Sequence, residues 1–167
     1  MNLPPTVSVD LSDTVSTYWK RRAEQHTGDS YVGVPLSKFP EDLRVYEHLI
    51  WQQAPNTIVE IGTQSGGSAL WFRDRLYLLQ RYGRVRSDPL VITVDTVPRG
   101  SEQLPGDGIV FLIGDVRLSD TQAAVRELAG DNVMVTFRPV IFGSISTCDM
   151  PERSSLTFCI NCIPNSW

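Results

Sequence analysis

Apolar and polar residues alternate along the chain in two rhythms, one helical and one of short unbroken apolar runs. "TVSTYWKRRAEQH", residues 14 to 26, has helical spacing, with Asp10, Ser12 or Asp13 available as caps. "TGDSYVGVPLSKFP" follows and reads as a loop rich in Gly, Ser and Pro. "PEDLRVYEHLIWQQ" is a second helix: Pro40 suits its first turn, two acids favour the N-terminal dipole, and Leu43, Tyr46, Leu49 and Ile50 form an apolar stripe. "TIVEI" is then a buried strand of mostly β-branched residues. Helical spacing returns over residues 68 to 82, through Leu70, Trp71, Leu76 and Leu79. "LVITVD" and "GIVFLIGD" are two more apolar strands that end in an acid. "SDTQAAVRELAG" is a helix with Ser119 as its cap and Gly130 as its stop, and "NVMVTF" is a fourth strand.

Strands that are apolar throughout and alternate with helices predict a parallel sheet covered on both faces. The expected fold is therefore α/β with a doubly wound, mostly parallel sheet. Its 167 residues suffice for one domain with a sizeable core. Tyr46, Trp51, Trp71 and Phe72 are expected in that core, and His26 and His48 in structural or solvated positions. In such sheets ligands bind beyond the carboxyl ends of the strands. Three strands carry a polar signature there: Glu60-Ile61-Gly62, Asp95 and Gly114-Asp115.

The glycine-rich turn after the first strand narrows the ligand. It reads Gly62-Thr63-Gln64-Ser65-Gly66-Gly67, which departs from the G-x-G-x-x-G dinucleotide fingerprint, and Asp95 comes later than the acid of that motif. No Lys-Ser/Thr pair follows, so a phosphate-binding P-loop is excluded. An acid two residues before the first glycine would repel a pyrophosphate and favour a cationic ligand. S-adenosylmethionine (SAM) carries an ammonium and a sulfonium, and its ribose offers two hydroxyls to a carboxylate.

The segments "YVGVPLSKFPEDLRVYEHLI", "PNTIVEIGTQSGGSALWF", "VITVDT" and "IGDV" resemble the cephalosporin hydroxylase family, which is similar to the rhamnosyl O-methyltransferases. The resemblance covers residues 30 to 135. It implies a class I methyltransferase (Rossmann-like) fold, SAM as cofactor, and methyl transfer to a hydroxyl of a sugar, lipid or secondary metabolite. Carried over by position, Glu60, Gly62, Gly66, Gly67 and Ser68 would line the methionine end of SAM, with Thr63 of the same turn among the cofactor contacts. Asp95 would hold the ribose, and Asp115 would sit near the adenine or the mouth of the site. The resemblance also implies magnesium, held by acids after the fourth strand. Those ligands are not found here, where Thr136-Phe137-Arg138-Pro139 stands instead, so no metal ligand and no catalytic residue is assigned.

From Thr136 onward the chain changes character: it has no lysine and no helical rhythm, and it holds all three cysteines, Cys148, Cys159 and Cys162. Cys159 and Cys162 have C-x-x-C spacing, with no second pair or histidine after them to complete a zinc site. A class I methyltransferase sheet has seven strands and only four are readable. The expectation is that the chain follows its family to about Val135 and continues in unrelated sequence, as a frameshift or a truncated gene copy would produce. That divides it into an N-terminal helix and loop (1–38), a partial SAM-binding domain (39–135) and an irregular tail (136–167). An open sheet edge would lower stability and favour homo-oligomerisation.

A net charge of −4 gives no basic footprint for nucleic acid. No apolar run approaches the ~20 residues that span a bilayer, and no secretory signal is visible, so a cytoplasmic protein is expected, with a small-molecule acceptor as partner. Two other readings stand beside the methyltransferase: a non-catalytic SAM-fold binding protein, and a nicotinamide-dependent oxidoreductase. The second is disfavoured by the glycine spacing.

Overall fold

The structure is a computed structural model that describes Ser12 and residues 14–25, 28–97 and 106–137. Asp10, Asp13, His26 and the three cysteines lie outside the described residues, as does the tail from residue 138 onward. In chain order the elements are α1 (Val15–Gln25), β1 (Ser30–Tyr31), β2 (Val34–Pro35), α2 (Pro40–Gln53), β3 (Thr57–Ile61), α3 (Gly67–Arg81), β4 (Leu90–Asp95), β5 (Ile109–Ile113), α4 (Ser119–Ala129) and β6 (Val133–Phe137).

β3 to β6 form one parallel sheet in the order β5-β4-β3-β6. The chain runs outward from β3 through β4 to β5, then returns to the other side of β3 as β6. The strand order therefore reverses between β3 and β6, beside the glycine turn. Among the described residues β5 and β6 are the edges of this sheet.

The period of two along each strand divides the core into two layers. Ile58, Val91, Ile109 and Met134 pack with Tyr46 and Ile50 of α2 and with Leu70, Phe72, Leu76 and Leu79 of α3. Val59, Ile92 and Val94 face the other way and pack with Ala129 of α4. Helices on both faces explain why these strands read as unbroken apolar runs. The apolar stripe of α2 behaves as its spacing predicts: Tyr46 and Ile50 are buried, and Leu43 and Leu49 pack against the same core.

Three local expectations are corrected. Residues 30–35, read as loop, form a short antiparallel hairpin whose turn residues Val32 and Gly33 both have positive φ, 46° and 85°. A primed turn of this kind matches strand twist, but Val-Gly is not among the pairs that announce it in a sequence. The α4 cap is Leu118, with no side-chain hydrogen bond, and the Ser119 hydroxyl donates instead to Asp120. Trp51 is not in the core: it is exposed, edge-on to Tyr82 and covered by the Arg84 guanidinium at 4.4 Å from its ring centre. Trp71, Phe72 and Tyr46 are buried as expected, and His48 is exposed.

The hairpin is held on α3. Tyr31 donates its hydroxyl to Asp74 Oδ2 at 2.7 Å, and burial followed by that bond raises the Tyr31 pKa. Gly67, the first residue of α3, lies so close under Pro35 that an added Cβ would collide with the Pro35 carbonyl oxygen. Because that obstacle is backbone, it cannot step aside by changing rotamer. Gly67→Ala is expected to destabilise the chain by about 1–3 kcal/mol, read as a lowered urea midpoint. An unchanged midpoint would show that the hairpin does not press on α3.

Candidate functional site

The carboxyl ends of the four parallel strands share one edge, and the turn from residue 62 to 67 rises from that edge at β3. Gly62 (φ 94°) and Gly66 (φ 84°) occupy left-handed backbone that glycine adopts without steric cost. Gln64, between them, is held at φ 50°. The Gly62 N–H donates to Val94 O at 2.8 Å, and the Gly66 N–H donates to Thr63 O at 2.9 Å. Gly66 caps α3 with no side-chain bond. The first N–H groups of α3 therefore have neither intrahelical nor side-chain cap partners, as helix geometry requires of them.

Asp95, at the end of β4, is built into this turn. Its Oδ2 accepts the Gln64 N–H at 2.9 Å, while Oδ1 takes a long contact from the Val97 N–H at 3.4 Å. Asp95 is partly exposed. It is thus an acid at the ligand edge with one oxygen holding the turn and the other lightly engaged.

Glu60 is placed differently. It is fully buried, and its carboxylate points into the protein toward donors from α3, from β4 and from the segment before α2. Ser68 Oγ in the first turn of α3 donates to Oε1 at 2.5 Å, and Thr93 Oγ1 of β4 donates to Oε2 at 3.2 Å. Lys38 Nζ, itself buried, stands 3.7 Å from Oε1. Thr93 and Thr63 share a bond of 2.6 Å, and because the Thr93 hydrogen goes to Glu60, Thr63 is the donor in it. Thr136 of β6 donates to the Tyr46 hydroxyl at 2.7 Å. Burial is the main reason the Tyr46 pKa is raised; the Glu60 charge adds to it and the Thr136 bond opposes it. In the sheet register Glu60 lies between Thr93 and Thr136. One buried polar row therefore crosses the three strands just below the ligand edge.

Of the residues singled out in the sequence, Glu60, Gly62, Thr63, Gly66, Gly67, Ser68 and Asp95 come together around this turn. They divide into a buried set (Glu60, Thr63 and Ser68) and an edge set (Gly62, Gly66 and Asp95), while Gly67 faces Pro35. Lys38 stands beside the buried Glu60 carboxylate, whereas Asp95 is partly exposed at the edge. Asp115 lies beyond β5 on the same edge, next to Gly114, whose N–H donates to Asp95 O at 2.9 Å. Its carboxylate is gripped by Arg117, with Nη2–Oδ2 at 2.5 Å and Nε–Oδ1 at 2.9 Å. Lys38, Thr93 and Thr136 carried no role in the sequence reading. The signal was present: the fourth residue of β3, β4 and β6 is polar within a mostly apolar strand. Only the register shows that the three are neighbours.

Among the described residues no group of three or more His, Cys, Asp or Glu is arranged to hold a metal ion, and no helix is long and apolar enough to cross a membrane.

The Arg117 side-chain and backbone bonds hold the Asp115 pKa down to about 2. A depressed carboxylate pKa contributes stability that is present above about 3.8 and lost as pH falls through about 2. A carboxyl-carbon NMR titration should place the Asp115 midpoint near 2, and Arg117→Ala should return it toward 3.8. Identical midpoints in the two proteins would show that the fork does not persist in solution.

Comparison with known proteins gives two findings. The family model described as rhamnosyl O-methyltransferase/CmcI matches residues 24–125. Three solved structures of CmcI are similar to the chain. Its Mg-SAM form is 24% identical with a TM-score of 0.60, covering 83% of this chain and 60% of that one. The apo form is 25% identical with a TM-score of 0.57, covering 85% and 60%, and the SAH form is 22% identical with a TM-score of 0.56, covering 85% and 66%. These likenesses establish the fold, and the chain spans about 60–66% of the length of the structures it matches. No curated protein matches it.

Proposed function

The chain belongs to the rhamnosyl O-methyltransferase/CmcI family, and we propose that it binds SAM and transfers its methyl group to a hydroxyl of a small acceptor molecule. The observation that carries this reading is the joining of the glycine turn to Asp95 at the point where the strand order reverses. That is where an open parallel sheet takes its ligand. Two of the solved relatives carry SAM or SAH by their descriptions, which supports the same cofactor here.

The residues present fit SAM. Asp95 has a lightly engaged oxygen facing the edge, suited to ribose hydroxyls, and its negative charge suits a cationic ligand. The bare backbone of Gly62 and Gly66 admits close approach, and the first N–H groups of α3 suit a carboxylate such as that of the methionine end. Glu60, Thr63 and Ser68 serve this site from beneath by fixing the turn. When bound, SAM supplies an electrophilic methyl on its sulfonium. The chain's own contribution is to align that group with the acceptor oxygen, because an in-line displacement needs alignment above all.

CmcI has a form described with magnesium; among the described residues of this chain no group of three or more His, Cys, Asp or Glu is arranged to hold a metal ion. No described side chain is assigned to take the proton from the acceptor hydroxyl.

Calorimetry with SAM tests the reading. Wild-type chain should bind, and Asp95→Ala should weaken binding about tenfold or more, the loss expected for a charge-assisted contact, while its circular dichroism stays native. Equal affinity in both proteins would sink the assignment of Asp95. Binding without turnover on any hydroxyl acceptor would favour the non-catalytic SAM-binding reading.

A further inference from the structure

The crest of the glycine turn holds a residue that the backbone there does not favour. The Gly66 N–H closes the turn on Thr63 O at 2.9 Å, which makes Gln64 and Ser65 its two central residues. Gln64 has φ 50°, whereas φ at Ser65 is not positive. A turn with positive φ at its first central residue alone favours glycine, because a side chain there crowds the backbone. What glutamine brings instead is an amide, and Ser37 holds it: Ser37 Oγ donates to Gln64 Oε1 at 2.9 Å. Ser37 is itself anchored. It stands between the buried Leu36, whose N–H donates to Asp29 O at 2.9 Å, and the buried Lys38. The hairpin before it is fixed on α3 through Tyr31 and Asp74. On the other side of the crest, the Gln64 N–H donates to Asp95 Oδ2 at 2.9 Å.

We infer that Ser37 is a positioning residue for the cofactor, acting through Gln64 on Asp95. This rests on the SAM-binding reading above. The hydrogen bond from Ser37 restrains the Gln64 side chain, and with it the left-handed backbone that carries the N–H. That N–H holds Asp95 by Oδ2, which fixes the plane of the carboxylate and leaves Oδ1 with the long contact to Val97. A carboxylate free to swivel about its Cβ–Cγ bond would have to be ordered by the ligand, and that ordering would be subtracted from the affinity. Ser37 thus acts on the ligand edge through two hydrogen bonds in series. Both bonds run between part-buried groups and lie outside the apolar core, so breaking them acts on the geometry of the turn more than on the stability of the fold.

The test is a mutant cycle on the full chain, with SAM affinity read by calorimetry at a temperature where circular dichroism shows each variant folded. Ser37→Ala should bind SAM about fivefold more weakly than wild type, the loss expected for one hydrogen bond. In an Asp95→Ala background the same substitution should change affinity by less than about twofold, because the group it orients is gone. A bond that only supported the fold would cost the same in both backgrounds. Gln64→Ala keeps the N–H and removes the acceptor, so it should match Ser37→Ala within about twofold, and the two combined should be no weaker than either alone. Wild-type affinity in Ser37→Ala overturns the inference. So does a loss that persists undiminished without Asp95, one that adds to the loss from Gln64→Ala, or wild-type affinity in Asp95→Ala itself. If Ser37→Ala does not fold, Gln64→Ala takes its place in the cycle, with the same expected losses and the same overturning results. Wild-type chain that does not bind SAM at all overturns the functional reading and this inference with it, an outcome distinct from the others.

Discussion

A carboxylate with no access to water must find its counter-charge and hydrogen-bond donors inside the protein, and much of this structure follows from meeting that need for Glu60. The donors come from the segment before α2, from the first turn of α3 and from β4, so one side chain fixes the relative placement of three elements. The remaining pieces stack on this arrangement. Thr63 bonds to Thr93, Tyr46 accepts from Thr136 on the far strand, and the rings of Tyr46 and Phe72 surround the Lys38 ammonium.

The two acids near the turn consequently have different work. Glu60 and Asp95 look alike in sequence, each standing at or near the end of an apolar strand before a turn. One is drawn inward among donors from neighbouring segments, whereas the other stays at the edge with a lightly engaged oxygen. Asp115, the third such acid, is held by Arg117 just beyond the end of β5. The hairpin at residues 30–35 and the three residues after it close the opposite side of the turn. They explain why Gly67 has no room for a side chain.

Much of this was legible before any coordinates. Unbroken apolar strands alternating with amphipathic helices announced a parallel sheet covered on both faces, since burial on both sides leaves no polar face to alternate. The glycine turn and the acid at the end of β4 marked the candidate ligand edge, and the motifs around them identified the family. These features are local: each depends on residue types within a few positions, and backbone sterics or burial dictate the outcome. The same locality explains the misses. Val-Gly gives no strong turn signal, an aromatic at helical spacing such as Trp51 is apolar whether or not a partner covers it, and the α4 cap turned on which backbone the chain placed before Ser119.

What the sequence by itself determined is thus the order of the helices and the four parallel strands, the class of fold, the family and the neighbourhood of the candidate site. What only the tertiary structure decided is the division of labour within that site. The polar fourth residues of β3, β4 and β6 become one row only when the register sets Glu60 between Thr93 and Thr136. Lys38 acquires a partner only when its segment crosses the turn. A side chain's charge is written in the sequence, but whether that charge meets water, a ligand or an opposite charge depends on contacts between residues far apart along the chain.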